Sequence, residues 1–255
     1  DAYFEAVSGL TATGATVLTG LDHLPASINF WRHQLHWMGG LGVIVLAVAI
    51  LPLLGIGGRQ LFKAETPGPM KDSKLTPRIA ETAKGLWFVY ASLTFVCMLA
   101  YHFAGMSWLD AIMHAFSTLA LGGFSSVDAS LGHFDSLAIE LIAILFALLA
   151  GMNFATHFLA WRHRSLRAYL FDGELPYYLL VLGASSLIIA WYIWLKGVYP
   201  DFFEALRHST FHTVSVATSL GMVTEDYAQW PYFVPFWMLF LGSFRHTPNQ
   251  EALDW

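Results

Sequence analysis

Long apolar stretches divide this chain into segments whose size fits a lipid bilayer. Each stretch carries few charges and has aromatic or polar positions at its ends. A helix rises about 1.5 Å per residue, so roughly 20 residues cross a hydrocarbon layer of about 30 Å. The pattern predicts four spanning helices, at Trp31–Leu54, Leu86–Met106, Ser136–Trp161 and Leu175–Val198.

A shorter pattern recurs three times along the chain. Asp1–Gly14, Asp110–Gly123 and His208–Gly221 align without a gap, and each reads as a short helix that runs into a glycine. In each copy a polar residue lies nine positions before the last glycine (Glu5, His114, His212) and a serine lies six before it (Ser8, Ser117, Ser215). The pattern predicts a half-length helix and then an extended turn, where only glycine tolerates the backbone conformation or a close approach.

The composition is that of a membrane protein. Of the 255 residues, 56% are hydrophobic and only 12% are charged, against about 25% in soluble domains. Nothing in it suggests nucleic-acid binding, and the single cysteine, Cys97, excludes an intrachain disulfide. Helices too short to span are expected to re-enter the membrane, buried in protein or lining a cavity.

The distribution of positive charge predicts which side each loop faces. Of the thirteen Lys and Arg residues, six lie in 55–85 and three in 161–175. The positive-inside rule places these connectors in the cytoplasm and the glycine turns on the outer side. Acidic residues that follow the turns either concentrate cations at the outer mouth or are ordinary solvated loop residues: Asp128, Glu225 and Asp226.

Several longer motifs carry a family resemblance. They are FEAVSGLTATGATV at Phe4–Val17, WMGGLGVIVLAVAILP at Trp37–Pro52, KDSKLTPRIAETA at Lys71–Ala83, HAFS and GGFSS at His114–Ser117 and Gly122–Ser126, and Asp201–Gly221. With these motifs the chain resembles the Trk/Ktr/HKT superfamily of potassium transporters, most closely its TrkH-type bacterial uptake subunits. The resemblance implies an all-α membrane fold of K⁺-channel-like helix–pore loop–helix repeats around a pseudo-four-fold axis, with three of four repeats at least partly present.

The resemblance also suggests boundaries for the parts of the chain. We expect pore loop 1 and the inner helix of repeat 1 at 1–54, a basic cytoplasmic connector at 55–85, repeat 2 at 86–161, a second connector at 162–175, repeat 3 with a shortened inner helix at 176–244, and an atypical polar tail at 245–255.

The function implied by the resemblance is K⁺ uptake across the bacterial inner membrane, with K⁺ as the transported ion, no catalytic residue and no cofactor. Backbone carbonyls at the glycine turns would replace the hydration shell of K⁺, the only metal expected. The filter positions are Ala12, Thr13 and Gly14, then Leu121, Gly122 and Gly123, then Ser219, Leu220 and Gly221. The alternative interpretation is that these glycines merely pack helices together in lipid.

The resemblance implies partners as well. In the intact protein we expect a homodimer in the lipid bilayer, with a cytosolic nucleotide-binding regulatory subunit on the basic connectors and no nucleic acid.

Other interpretations stay open at the level of sequence. The chain is expected to be incomplete, since it begins inside the first repeat and lacks the fourth, and one alternative is that it is an inactive fragment of such a transporter. Two further alternatives have no supporting motif: symport coupled to Na⁺, and an intramembrane enzyme that uses His208, His212 or Glu204. His208 and His212 could bind a metal together, but a third ligand is missing. The residues Glu5, His114 and His212 form either a titratable ring or hydrogen bonds to their neighbours, and Glu140 either pairs within the bundle or lies near the interface.

Overall fold

The computed structural model describes residues 1–45, 75–152, 154–165, 167–170, 173 and 175–243. Every regular element in these ranges is helical, which confirms the all-α prediction. The α-helices are α1 (Ala2–Leu10), α2 (Ala26–Val45), α3 (Leu75–Phe103), α4 (Trp108–Ala120), α5 (Leu137–Gly151), α6 (Phe154–His163), α7 (Arg167–Leu170), α8 (Leu175–Leu195), α9 (Phe202–Ala217) and α10 (Phe233–Ser243).

The three short helices predicted before the glycines are α1, α4 and α9. They hold 9, 13 and 16 residues, and even the longest is only about 24 Å long at 1.5 Å per residue. None can cross a bilayer alone. A short 3₁₀ turn follows each glycine turn, at Leu21–His23, Ser130–Phe134 and Tyr227–Gln229.

Two helices in the described ranges are long and apolar enough to cross a membrane, Ala83–Phe103 within α3 and Leu175–Leu195 as α8. They match two of the four predicted spans. The prediction at Trp31–Leu54 is met by α2 as far as Val45, and the remainder lies outside the described residues. The first half of α2 carries four buried polar side chains, Asn29, Arg32, His33 and His36.

The segment predicted to span at Ser136–Trp161 is sharply bent in the structure. Helix α5 ends at Gly151, Met152 is extended, and α6 leaves at an angle of 93°. A side chain on Gly151 would come within 2.6 Å of the Tyr178 hydroxyl, so α8 packs directly on this point. An apolar run alone does not distinguish a straight span from two helices that meet at a glycine.

The short helices are held between the long ones. The largest core cluster joins α3, α4 and α5 through side chains such as Tyr90, Tyr101, Leu119 and Phe146. Glycines of α2 allow close approach: a Cβ on Gly39 would overlap the Leu10 carbonyl at the end of α1, and one on Gly40 would lie 2.9 Å from Ala120 Cα at the end of α4. Helix α2 thus fixes the positions of α1 and α4 where their turns begin.

Large apolar side chains remain exposed on the outer faces of the long helices, including Phe95, Leu141, Trp191 and Phe236. Such a surface is suited to lipid. Residues 55–74 of the basic connector and the tail at 245–255 lie outside the described residues, and the boundaries expected for the repeats and connectors stay predictions.

Candidate ion-binding site

The three glycine turns share one backbone conformation. In each turn the glycine has a positive φ, with 78° at Gly14, 82° at Gly123 and 75° at Gly221. The residue two positions earlier is also left-handed although it is not glycine, with φ of 52° at Ala12, 52° at Leu121 and 62° at Ser219. A left-handed conformation outside glycine is uncommon, so its recurrence at equivalent positions indicates a shared structural purpose.

The amide groups of the turn residues donate hydrogen bonds to the last carbonyls of the helix before each turn. The amides of Ala12, Leu121 and Ser219 donate to carbonyls three residues earlier, at 3.0, 3.1 and 3.1 Å. The amides of Thr13 and Gly122 donate at 3.0 Å to the carbonyls of Ser8 and Ser117, and Gly221 donates to Ser215 at 3.3 Å. The helix ends are therefore satisfied by the same residues that form the turn.

The carbonyl oxygens of the turns have no such partners. Within the described residues, no donor is hydrogen-bonded to the carbonyl oxygens of the nine turn residues, which are Ala12, Thr13, Gly14, Leu121, Gly122, Gly123, Ser219, Leu220 and Gly221. Of these nine residues only Gly122 and Leu220 are buried, so most of the carbonyls can face solvent or an ion. Three sets of unpaired carbonyls are thus a concentrated source of partial negative charge.

The three turns lie against one another in chain order. A Cβ on Gly14 would overlap the carbonyl oxygen of Gly122, and one on Gly123 would lie 2.6 Å from that of Leu220. Around the Cβ position of Gly221, the Cα of Gly123 at 3.6 Å is the only atom of the described residues within 4 Å. Glycine is required at the first two positions both by the left-handed backbone and by the contact with the neighbouring turn.

The recurring polar residue holds the segment that follows its own turn. The Glu5 carboxylate accepts from the Thr16 hydroxyl at 2.7 Å and from the Val17 amide at 2.8 Å. Its counterparts do the same through their rings: His114 Nε2 is 3.2 Å from Ser125 Oγ, and His212 Nε2 is 3.2 Å from Thr224 Oγ1. Of the two interpretations of Glu5, His114 and His212, the structure thus favours hydrogen bonds to neighbouring segments over a circle of titratable side chains behind the filter.

The recurring serine marks the end of the unpaired carbonyls in two repeats. Ser8 Oγ donates to the Ala15 carbonyl and Ser215 Oγ donates to the Met222 carbonyl, both at 2.6 Å. Each acceptor is the first carbonyl after the glycine. In the second repeat Ser117 Oγ instead lies 3.0 Å from His36 Nδ1, on α2.

The sequence matches the TrkH family, whose members are described as cation transport proteins, over residues 1–244. The chain belongs to this family. The Trk system potassium uptake protein TrkH of Halomonas elongata is 53% identical over 244 residues, which cover 96% of this chain and 50% of that protein. The protein of the same name in Escherichia coli K12 is 50% identical over 246 residues, covering 95% of this chain and 51% of its own length.

A solved structure supports the same assignment. The crystal structure of the potassium transporter TrkH from Vibrio parahaemolyticus superposes with a TM-score of 0.83 at 44% identity, over 94% of this chain and 48% of that one. The chain spans about half the length of the relatives it matches. The family consists of membrane transport proteins and not of enzymes, so the intramembrane-enzyme alternative loses its support.

Sequence reasoning missed Arg32, whose guanidinium donates three hydrogen bonds beside the first turn. It is buried on α2, and its Nε donates to Glu5 Oε2 at 2.9 Å. Its positive charge offsets the negative charge of the Glu5 carboxylate, which also accepts from Thr16 and Val17. The signal was available in the sequence, because polar residues at 29, 32, 33 and 36 share one helical face of an otherwise apolar segment.

The three acidic residues predicted at the outer mouth are exposed and already engaged. Asp128 accepts from the amides of Gly20 and Leu21, at 2.7 and 3.0 Å, and so joins the first loop to the second. Asp226 caps the 3₁₀ turn at Tyr227–Gln229 by accepting from the Ala228 amide. The structure therefore gives Asp128 and Asp226 a role in loop shape, whatever their effect on cations.

Glu225 is the third of these acids, and its partners come from two elements. It accepts from the hydroxyl of Tyr199 and lies 3.5 Å from His208 Nε2. Burial, and then the Glu225 carboxylate, raise the pKa of the Tyr199 hydroxyl, so Tyr199 stays a donor to Glu225. Glu225 thereby connects its loop to the start of α9.

The remaining polar candidates are explained by pairing. Glu140, in the first turn of α5, forms an ion pair with Arg207 of α9 at 2.7 Å. Of the two interpretations of Glu140, this supports pairing within the bundle. His208 and His212 both reach Thr224, at 3.4 and 3.2 Å. Within the described residues, no group of three or more His, Cys, Asp or Glu side chains is arranged to hold a metal.

Proposed function

We propose that the three turns are three quarters of a filter that selects K⁺ and passes it across the membrane. The observation that carries the proposal is a set of nine carbonyl oxygens, in three adjoining turns of equal conformation, to which no donor among the described residues is bonded. Carbonyl oxygens can replace the hydration shell of a cation without a charged side chain or a cofactor. The relatives' names, which describe potassium uptake, support K⁺ as the ion.

The short helices add to this field. Each of α1, α4 and α9 points its C-terminal end at its own turn, and a helix C-terminus carries about half a unit of negative charge. Three helix ends therefore favour a cation at the point where the turns meet. Glycine at all three positions, instead of serine at the first, is the pattern that the superfamily associates with K⁺ over Na⁺.

The fourth quarter of the filter comes from the part of the longer protein that this chain does not cover. No atom of the first turn lies within 4 Å of the Gly221 Cβ position, so there is room for a fourth turn between the third turn and the first. The boundaries given above, with repeats at 1–54, 86–161 and 176–244, describe this arrangement. By itself the 255-residue chain is then inactive, and saturable K⁺ uptake by it alone would overturn that statement.

We propose further that the longer protein is a homodimer of the bacterial inner membrane that binds a cytosolic nucleotide-binding regulatory subunit. The superfamily resemblance suggests both partners. The exposed basic side chains at the end of α6 and beyond it, Arg162, Arg164 and Arg167, offer a suitable surface on the cytoplasmic side. A multicomponent assembly also fits the word "system" in the names of the relatives.

The test uses a chimera in which residues 1–244 replace the matching half of Halomonas elongata TrkH. It is produced in cells that lack K⁺ uptake, and flux of K⁺ and Na⁺ is measured in proteoliposomes. Gly123→Ala should abolish K⁺ selectivity, since its Cβ would meet the neighbouring turn. Gly197→Ala is the matched control: its φ is 71°, yet no atom lies within 4 Å of the added Cβ. An unchanged K⁺/Na⁺ ratio in Gly123→Ala would refute the proposal.

A further inference from the structure

Arg32 spreads its hydrogen bonds over three different acceptors. Besides Glu5, its Nη1 donates to Asn29 Oδ1 at 3.1 Å and its Nη2 to Thr16 Oγ1 at 3.2 Å. Thr16 follows the first glycine turn, so the guanidinium contacts both the helix before that turn and the segment after it. The side chain is only 3% exposed, so it can reach these acceptors only in the folded arrangement.

The same face of α2 also contacts the second turn. The Asn29 amide donates to the Ser126 carbonyl at 2.8 Å, and the Arg32 guanidinium lies 4.3 Å from the centre of the Phe124 ring. Phe124 and Ser126 directly follow Gly123. Asn29 and Arg32, which we call the α2 brace, therefore join the segments that follow the first and second turns.

The segments that follow the second and third turns are joined in a different way. The Gly132 amide donates to the Val223 carbonyl at 3.2 Å, and the Val223 amide donates to Ser130 Oγ at 3.2 Å. That connection is made largely by backbone. The connection between the first two segments is made by side chains, with Asp128 in the outer loops and Asn29 and Arg32 closest to the turns. The ionic partner of Arg32, Glu5, stands where the other repeats carry histidine.

We propose that Arg32 is a positioning residue for ion discrimination, because the α2 brace sets the distance between the first two filter segments. The inference rests on the filter proposed above. A filter distinguishes K⁺ from Na⁺ only if its carbonyls keep a spacing or field that suits the larger ion. The planar guanidinium fixes three acceptors at once, which a lysine ammonium on a flexible stem cannot do.

The experiment measures the K⁺/Na⁺ permeability ratio of the chimera from reversal potentials in planar bilayers. Arg32→Lys keeps the positive charge beside Glu5 but loses the planar guanidinium with its several donors. We expect the K⁺/Na⁺ ratio to fall about tenfold, because that is the change that the loss of one charge-assisted hydrogen bond can produce. The matched control is Arg207→Lys, which alters another partner of a buried acid, but whose bonds, to Asp135 and Glu140, lie 12 residues or more beyond Gly123. Its ratio should stay unchanged.

Each outcome separates the two proposals. If the unsubstituted chimera does not prefer K⁺, the filter itself is refuted. If it does, and Arg32→Lys prefers K⁺ equally while only its yield falls, Arg32 is merely structural and the inference is overturned. Should Arg32→Lys fail to fold, the pair Glu5→Gln with Arg32→Gln removes both charges and leaves none unpaired; a retained ratio in that double variant likewise overturns the inference.

Discussion

Arg207 of α9 grips both carboxylate oxygens of Glu140 of α5, with its Nε 2.8 Å from Oε2 and an Nη 2.7 Å from Oε1. The pair joins the helix that follows the second turn to the short helix that precedes the third. His36 and Ser117 repeat this relationship one repeat earlier, between α2 and α4. Both α2 and α5, the helices that follow the first and second turns, thus support the next short helix, which is how repeats around a common axis hold one another in place.

Removing Glu140 should destabilise the protein, because it leaves Arg207 without its main partner. Glu140 is 3% exposed and Arg207 is 26% exposed at the side chain. Breaking a buried pair costs about 3 kcal/mol or more, and the partial exposure of Arg207 reduces this to about 2 kcal/mol. We expect the melting temperature of Glu140→Ala in detergent micelles to fall by about 5 °C.

Asp135→Asn is the control for that measurement. Asp135 also accepts from Arg207, at 3.1 Å, but its side chain is 88% exposed. An exposed ion pair contributes less than about 1 kcal/mol, so the melting temperature should hardly change. Equal losses in the two variants would show that burial does not determine the strength of this network.

Much of the candidate site could be predicted from sequence because it depends on local rules. A left-handed turn demands glycine, and a polar residue and a serine at fixed offsets before it are visible in one chain. The structure adds what those offsets do: Glu5, His114 and His212 bind the segment beyond the turn. The prediction of three short helices likewise followed from length and pattern alone.

Long-range pairing could not be read in the same way. The polar face of α2 was visible, but the partners of Asn29 and Arg32 lie on elements brought together only by folding. The break at Gly151 was hidden for a similar reason, since the Tyr178 hydroxyl that packs against Gly151 comes from another helix, α8. Tertiary contacts decide such features, and local propensity does not.

Gly14→Ser should weaken the preference for K⁺ over Na⁺. A side chain at φ 78° is strained by about 1 kcal/mol or more, and its Cβ would overlap the Gly122 carbonyl oxygen, so the first two turns must move apart. Reversal potentials of the chimera with K⁺ and Na⁺ on opposite sides measure the change. Gly20→Ser is matched in backbone, with φ 74°, but has no atom within 4 Å, and should leave the ratio intact.

Asp128→Ala should loosen the first outer loop. Its carboxylate is the acceptor for the amides of Gly20 and Leu21, and these amides lose that partner in the variant. Hydrogen exchange followed by mass spectrometry should then show faster exchange around residues 20–21. If Asp128 instead acts mainly by gathering cations, Asp128→Asn would lower K⁺ conductance strongly at low ionic strength and little at high ionic strength; we expect a loss below twofold at both.

Ser215→Ala should destabilise the third turn by releasing the Met222 carbonyl. The Ser215 hydroxyl is buried and donates to that carbonyl at 2.6 Å, so its removal leaves a buried acceptor unpaired at a cost of about 1 kcal/mol. The melting temperature in micelles should fall by about 2–4 °C. Ser243→Ala removes a comparable hydroxyl bond, to Leu239 at 3.0 Å, from an exposed site and should have no measurable effect.

The same substitution, Ser215→Ala, should also lower the K⁺/Na⁺ ratio. The Met222 carbonyl is the first after Gly221, so its release adds a mobile oxygen next to the unpaired carbonyls of the third turn. A lower melting temperature of Ser215→Ala with an unchanged ratio would show that this serine contributes to stability alone.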